Sequence, residues 1–137
     1  MANINVITES TIAHSKAFVF ALEHYLLLVK AGHADNELVY NNSAPVTYAV
    51  ENNIVIGVSV WDFNPAKRAA WILFSAVAVE HRRKGVYTAI FKEVEKNVKR
   101  KGAVALYSSV HVTNNKMIEA ARTNGRELGW YRTKKTL

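Results

Sequence analysis

Between Ala69 and Val79 the only polar residue is Ser75. A run this apolar does not suit the edge of a sheet or a face open to water. Its length and β-branched content favour a strand covered on both faces. Helices are therefore needed on each side of whatever sheet contains it. The run ends in Glu80-His81-Arg82-Arg83-Lys84-Gly85, and a helical pattern then begins. Val86, Ile90, Phe91, Val94 and Val98 recur on one face, with lysines and glutamates elsewhere. Lys99-Arg100-Lys101 suits the negative end of that helix, and Gly102 stops it.

The other segments arrange themselves around this unit. Asn3–Glu9 alternates apolar and polar residues and reads as a strand. Ile12–Lys30 reads as one long helix or two nearly continuous ones, capped by Ser10 or Thr11. Ala31–Ala44 has the composition of a loop. Pro45–Glu51 and Ile54–Phe63 read as strands joined by Asn52-Asn53, a pair that tolerates left-handed backbone. Ala103–Val112 reads as a strand, Lys116–Thr123 as a short helix, and Arg126–Leu137 as one last strand. The order is β-α-β-β-β-α-β-α-β, an α+β fold with a central mixed, mostly antiparallel sheet of about six strands. A right-handed crossover joins the parallel pair on either side of the basic helix. With 137 residues and no linker or repeat, the chain reads as a single domain over 1–137.

Composition removes several classes of function. There is no cysteine, so disulfides, thiolate catalysis and Cys-ligated zinc are excluded. His14, His24 and His33 show no ligand spacing with carboxylates, and no metal is expected. No apolar run reaches the ~20 residues of a membrane span, and the first residues lack the pattern of a signal peptide. A cytoplasmic protein is expected. The net charge of +7 points to an acidic partner, either nucleic acid or a polyphosphate-bearing cofactor.

The junction after the apolar strand carries the chemistry. The first amides of a helix have no intrahelical partners, and the helix dipole adds positive potential there. Gly85 leaves room for an anion to approach the backbone, and Arg82, Arg83 and Lys84 add charge. This is a diphosphate cradle without a P-loop. Arg-x-x-Gly occurs three times, at Arg82, Arg122 and Arg126. Only the first follows an apolar strand and opens an amphipathic helix.

Here the chain resembles the GNAT superfamily of acetyl-CoA-dependent N-acetyltransferases. Its cofactor signature, [Q/R]-x-x-G-x-[G/A], is similar to Arg82-Arg83-Lys84-Gly85-Val86-Tyr87, with Tyr87 departing at the last place. A second likeness is the strand that runs through Val110-His111-Val112-Thr113-Asn114 into a short helix. The resemblance implies direct transfer of acetyl from acetyl-CoA to an amine. It implies that the main chain of Val77, Ala78 and Val79 holds the thioester arm. Arg82 to Tyr87 would take the diphosphate, and Asn114 would open the helix beside it. A Tyr seven residues after that Asn serves many members as the acid; here the place is held by Ala121. Tyr107, Tyr87 and Tyr131 are the other phenols in reach of the sequence argument, and Tyr107 is carried forward as the donor. Glu80, Glu51, Asp62 and His111 are candidate bases, with Glu80 and His111 carried forward.

The acceptor remains open: a small-molecule or peptide amine, or an amine carried on RNA, for which Trp130, Tyr131, Arg132, Lys134 and Lys135 offer stacking and charge. Acceptor contacts are expected from Tyr25–Tyr40 and Ile54–Phe63. Only twelve residues follow Gly125, which suggests one closing strand, and a homodimer is expected from the family. The rival reading is a non-catalytic acyl-CoA or nucleic-acid binding module on the same fold.

Overall fold

The computed structural model describes residues 4–34, 37–109, 119, 122–123, 127–129 and 132–137. Seven strands form one sheet: β1 (Ile4–Glu9), β2 (Val46–Glu51), β3 (Ile54–Asn64), β4 (Ala69–Val77), β5 (Ala105–Ser109), β6 (Glu127–Gly129) and β7 (Arg132–Thr136). Their order across the sheet is β1-β2-β3-β4-β5-β7-β6. Every neighbouring pair is antiparallel except β4 and β5. The helices α1 (Phe18–Lys30) and α2 (Val86–Arg100) lie on opposite faces.

The apolar run after Ala69 does sit at the centre, between β3 and β5. Its residues divide between two cores. Ala70, Ile72 and Val77 pack with Val86, Ile90, Phe91, Val94 and Val98 of α2. Phe74, and Ala76 beside it, pack with Tyr25 of α1 and with Tyr40. All five residues expected on the apolar face of α2 are buried. Asn52 and Asn53 form the β2–β3 turn with φ of 52° and 64°, the left-handed geometry their amides tolerate.

Two bulges break the simple alternation. Ala49 pairs with Gly57 and Val50 with Val55, which leaves Ile56 as an extra residue in β3. Val60 pairs with Phe74 and Trp61 with Ile72, which leaves Leu73 extra in β4. A bulge places two successive residues on one side and turns the strand. Leu73 and Phe74 accordingly both join the α1 core. Beneath α2 the backbone comes close at Gly57. A Cβ there would lie 2.8 Å from Ile90 Cδ1 and 3.0 Å from Val86 Cγ1.

Three sequence expectations change. The first helix starts at Phe18, not near Ile12. Ile12 and Ala13 donate their amides to Ala44 and Asn42 of the following loop, and Ser15 Oγ accepts from Ala17 N–H, so the approach is a series of turns. The apolar strand ends at Val77; Val79–His81 forms a single 3-10 turn. The C-terminal segment is not one strand but the hairpin β6–β7, with β7 inserted against β5. A sheet edge needs main-chain partners whatever the side chains are. Of the short helix expected over Lys116–Thr123, the described residues Glu119, Arg122 and Thr123 are helical.

A polar chain runs through the α2 core. Trp61 Nε1 donates to Thr47 Oγ1 at 3.0 Å, Thr47 Oγ1 meets Thr8 Oγ1 at 2.9 Å, and Asn97 Nδ2 donates to Thr8 Oγ1 at 3.2 Å. Trp61 and Thr47 are fully buried. Thr47→Val keeps the shape but strands the indole N–H. Urea unfolding should show a loss of about 1–3 kcal/mol, whereas an unchanged midpoint would mean the network contributes nothing.

Candidate active site

The site begins where β4 loses a neighbour. Pairing with β5 runs from Ala69↔Ala105 to Ile72↔Ser108 and goes no further among the described residues. β4 continues beside β3 to Val77, and from the Leu73 bulge onward no described strand pairs with its far edge. Ser109 still pairs with Arg132 of β7 but no longer with β4. The two strands part at this level.

At the end of the open edge, Ala78 N–H donates back to Ile56 O at 2.9 Å. Successive main-chain groups of an extended strand alternate in direction, so those of Val77 face away from β3. The Val77 carbonyl accepts from Arg82 Nε at 3.1 Å. This bond folds the arginine back onto the strand that precedes it. The terminal nitrogens of Arg82 have no partner among the described residues. Of the three residues expected to offer main chain to a thioester arm, Val77 faces the open edge, Ala78 is spent on β3, and Val79 lies in the 3-10 turn with a side chain 71% exposed.

The turn then enters left-handed backbone twice. Arg83 has φ 63° and Gly85 has φ 80°. For arginine this geometry costs about 1–2 kcal/mol, and such strain collects where a functional shape is enforced. Gly85 is the N-cap of α2 and supplies no side-chain cap; no acid stands in the first turn. The first helical bond is Ala89 N–H to Gly85 O at 3.0 Å. The first turn of α2 therefore has no intrahelical acceptor for its amides, the geometry that suits an anion. Arg83 and Lys84 are exposed beside them. Tyr87 stacks on Phe91 with centroids 6.3 Å apart and packs against the α2 core. That placement answers the mismatch with the family signature, because the ring runs along the helix.

The catalytic candidates do not converge in one place. Glu80 is exposed in the 3-10 turn and forms no ion pair with Arg82. Tyr107 lies on β5 opposite Trp71 and stacks on it at 5.5 Å. Trp71 is six residues before Val77, ~20 Å along the strand, so Tyr107 is far from the diphosphate end but near the point where the strands part. Its neighbour Leu106 packs in the α2 core, so alternation along β5 puts the phenol on the opposite, α1 face. His111 and Asn114 lie outside the described residues. Asp62 pairs with Trp71 across β3 and β4, and Glu51 ends β2.

Sequence reasoning missed two features on the α1 face. Tyr40 stacks on Phe74 at 6.1 Å, next to the β4 bulge. Burial, with the nearby Tyr25 adding to it, pushes its phenol up to about 12, so it stays a neutral donor. A groove of about 280 Å³ lies between α1, the start of β3 and the 3-10 turn. His81 borders it, and its Nδ1 is buried with no hydrogen-bond partner among the described residues. His24 also borders it, stacked on Phe20 at 3.8 Å. The motif singled out Glu80 and Arg82 but passed over His81 between them. Among the described residues, no group of three or more His, Asp or Glu could hold a metal ion, and no helix is long and apolar enough to cross a membrane.

Comparison with known proteins matches these features. The acetyltransferase (GNAT) family model covers residues 12–125. No curated protein matches the chain. A GCN5-related N-acetyltransferase from Kribbella flavida is similar over 98% of both chains, with TM-score 0.77 and 16% identity. The acetyltransferase yncA from Salmonella typhimurium, solved with acetyl-CoA, is similar over 99% of this chain and 95% of its own, with TM-score 0.75 and 14% identity. An aminoglycoside acetyltransferase from an uncultured soil metagenomic sample, meta-AAC0020 in complex with trehalose, covers 98% of this chain and 97% of its own, with TM-score 0.73 and 13% identity. The family model spans well over half of the sequence, and the chain belongs to the GNAT family of acetyltransferases.

Proposed function

We propose that this protein transfers the acetyl group of acetyl-CoA directly to an amine. The observation that carries the reading is the open edge of β4 running into an uncapped helix N-terminus. The residues present fit the co-substrate. A diphosphate finds the N-terminal turn of α2, the glycine at φ 80° and the charges of Arg82, Arg83 and Lys84. The amide-rich arm of CoA finds an edge of β4 beyond Ile72 along which no described strand pairs. Structurally similar proteins from Salmonella typhimurium and Elizabethkingia anophelis were solved with acetyl-CoA.

The amine nitrogen first gives up a proton, since alkyl ammonium groups are charged near neutrality. It then bonds to the acetyl carbonyl carbon, releases its second proton to water, and the C–S bond breaks with its electron pair on sulfur. The thiolate finally takes a proton. Glu80 adjoins the diphosphate end of β4, about 20 Å along the strand from the level of Tyr107, so of the two bases carried from the sequence His111 is the proposed one. Main-chain N–H groups along the β4 edge polarise the carbonyl. With Ala121 in place of the helix tyrosine, Tyr107 is the proposed donor, and Asn114 keeps the place the family likeness gives it, opening the helix beside the cofactor.

Ala121 also favours a second reading, a domain that binds acyl-CoA without turnover. An amine-acceptor screen with detection of released CoA separates the two. Tight binding of acetyl-CoA with no acceleration by any amine would establish the second.

Two outcomes are expected. A saturating ligand at 100 times its Kd adds about 2.7 kcal/mol to stability, so CoA should raise the melting temperature of the native protein. Gly85→Glu should remove that response while still melting cooperatively; a retained response would place the diphosphate elsewhere. Tyr107→Phe should lower kcat by about 100-fold, within the range for a lost acid, with KM for acetyl-CoA unchanged. A kcat within threefold of native would remove Tyr107 from the chemistry and turn attention to the neutral phenol of Tyr40.

A further inference from the structure

Both helices pack one face on the sheet, but their outer faces differ. On α2 the exposed residues are Lys92, Lys96, Lys99 and Arg100, the charged face expected of a surface helix. On α1 they are Val19, Leu22, Glu23, Leu26, Leu27 and Lys30. Steps of three and four residues along a helix keep these on a single stripe. Val19 is 61% exposed, Leu26 57% and Leu27 59%. The apolar surface continues across the groove beside Leu27, where Ile54 is 64% exposed and Val79 71%. Among the described residues, every large apolar side chain more than half exposed belongs to this one patch. Grouped apolar exposure of this kind marks a surface that meets a partner.

Charge decides what that partner is. The net charge of +7 opposes self-association in general. On the α1 stripe it cancels: Glu23 and Lys30 are its only charged residues, and neither forms an ion pair among the described residues. Nucleic acid or an anionic membrane is drawn to the cations of α2 or of the 82–84 turn, not to this neutral face. A second copy of the chain fits it. Antiparallel helices related by a two-fold axis place residue i of one beside residue j of the other, and j beside i. With the axis between Leu26 and Leu27, Leu26 meets Leu27 of the second copy, and Glu23 meets Lys30 of the second copy at both ends. Each of these charges lies about 5 Å along the helix from the crossing. Within one helix Glu23 and Lys30 are two turns apart and do not reach each other. The same axis keeps each flank of one helix opposite the same flank of the other, so the Ile54–Val79 rims face each other.

We infer that α1 is the contact face of a homodimer, an antiparallel helix pair centred on Leu26 and Leu27 and closed at each end by a Glu23–Lys30 ion pair between copies. The inference stands apart from the transferase reading, since it invokes neither the β4 edge nor the 82–87 turn. A specific interface takes about 20–30 residues a side. One helix stripe is too narrow for that, so the rim of the groove joins it.

Sedimentation equilibrium over a dilution series tests it. The native chain should pass from the mass of one chain to that of two as concentration rises. Leu26→Lys should raise the dimer Kd tenfold or more, and Ile54→Lys on the rim should raise it at least threefold. Val104→Lys adds the same charge at an exposed apolar position beside the β3–β4 turn and should leave Kd within twofold of native. Glu23→Lys and Lys30→Glu each set like charges together and should each weaken the dimer at least fivefold. They move the net charge in opposite directions, so a shared loss does not come from overall repulsion. Combining the two restores opposite charges and should return Kd to within twofold of native. All of these positions are exposed, and cooperative melting of each variant confirms that it folds. A native chain that stays monomeric at every concentration, or a Leu26→Lys variant that dimerises like the native chain, would overturn the contact face. Single reversals that weaken the dimer without rescue by their combination would overturn the antiparallel pairing. Binding of CoA is read separately, and its loss would count against the transferase reading alone.

Discussion

Ile72 faces α2 and Phe74 faces α1, with the extra residue Leu73 between them. This small irregularity in β4 sits at a demanding place. A strand covered on both faces has no water along its length, so each main-chain group needs a protein partner or a ligand. β3 serves one edge of β4 from Ala69 to Val77; β5 serves the other only as far as Ile72. Beyond Ile72 no described strand takes up that second edge, and this short length of β4 is held between two cores. The bulge turns β4 just where β5 departs, and a substrate with amides of its own can occupy the gap.

The turn beyond that edge is held by the same packing. Arg83 and Gly85 keep the backbone in left-handed conformations, and the Arg82–Val77 bond closes the turn onto the strand. The five buried apolar residues of α2 anchor the helix whose first amides complete the turn. Strain at one arginine is small against burial of five large side chains, each contributing roughly 1.5–3 kcal/mol. The local geometry is therefore set from below by the core.

The parts legible in the sequence were those encoded in contiguous residues. The α2 face, the central apolar strand, the Asn52-Asn53 turn and the basic turn with its glycine all follow from local period or local backbone preference. The parts that were not legible arise between distant segments. Ile56 and Leu73 become extra residues only through register with β2 and β3. The delayed start of α1 reflects main-chain bonds from Ile12 and Ala13 to the 42–44 loop, which compete with helix over residues of good helical pattern. The closing hairpin was hidden by the brevity of β6, three residues long. The groove draws on α1, the start of β3 and the 3-10 turn, and no local pattern joins these. Glu80 was visible because it adjoins the signature; the orphan nitrogen of His81, one residue on, depends on what packs around it.

Apolar packing is nearly indifferent to a helix sliding along its own axis, because one row of side chains can replace the next. Asn97 is not indifferent. Its amide reaches Thr8 on β1, and through Thr47 it is linked to the indole of Trp61 on β3. Asn97 lies eleven positions from the first residue of α2, about 16 Å along the axis. The anion-binding end of the helix is thus indexed against the sheet by a latch near its opposite end.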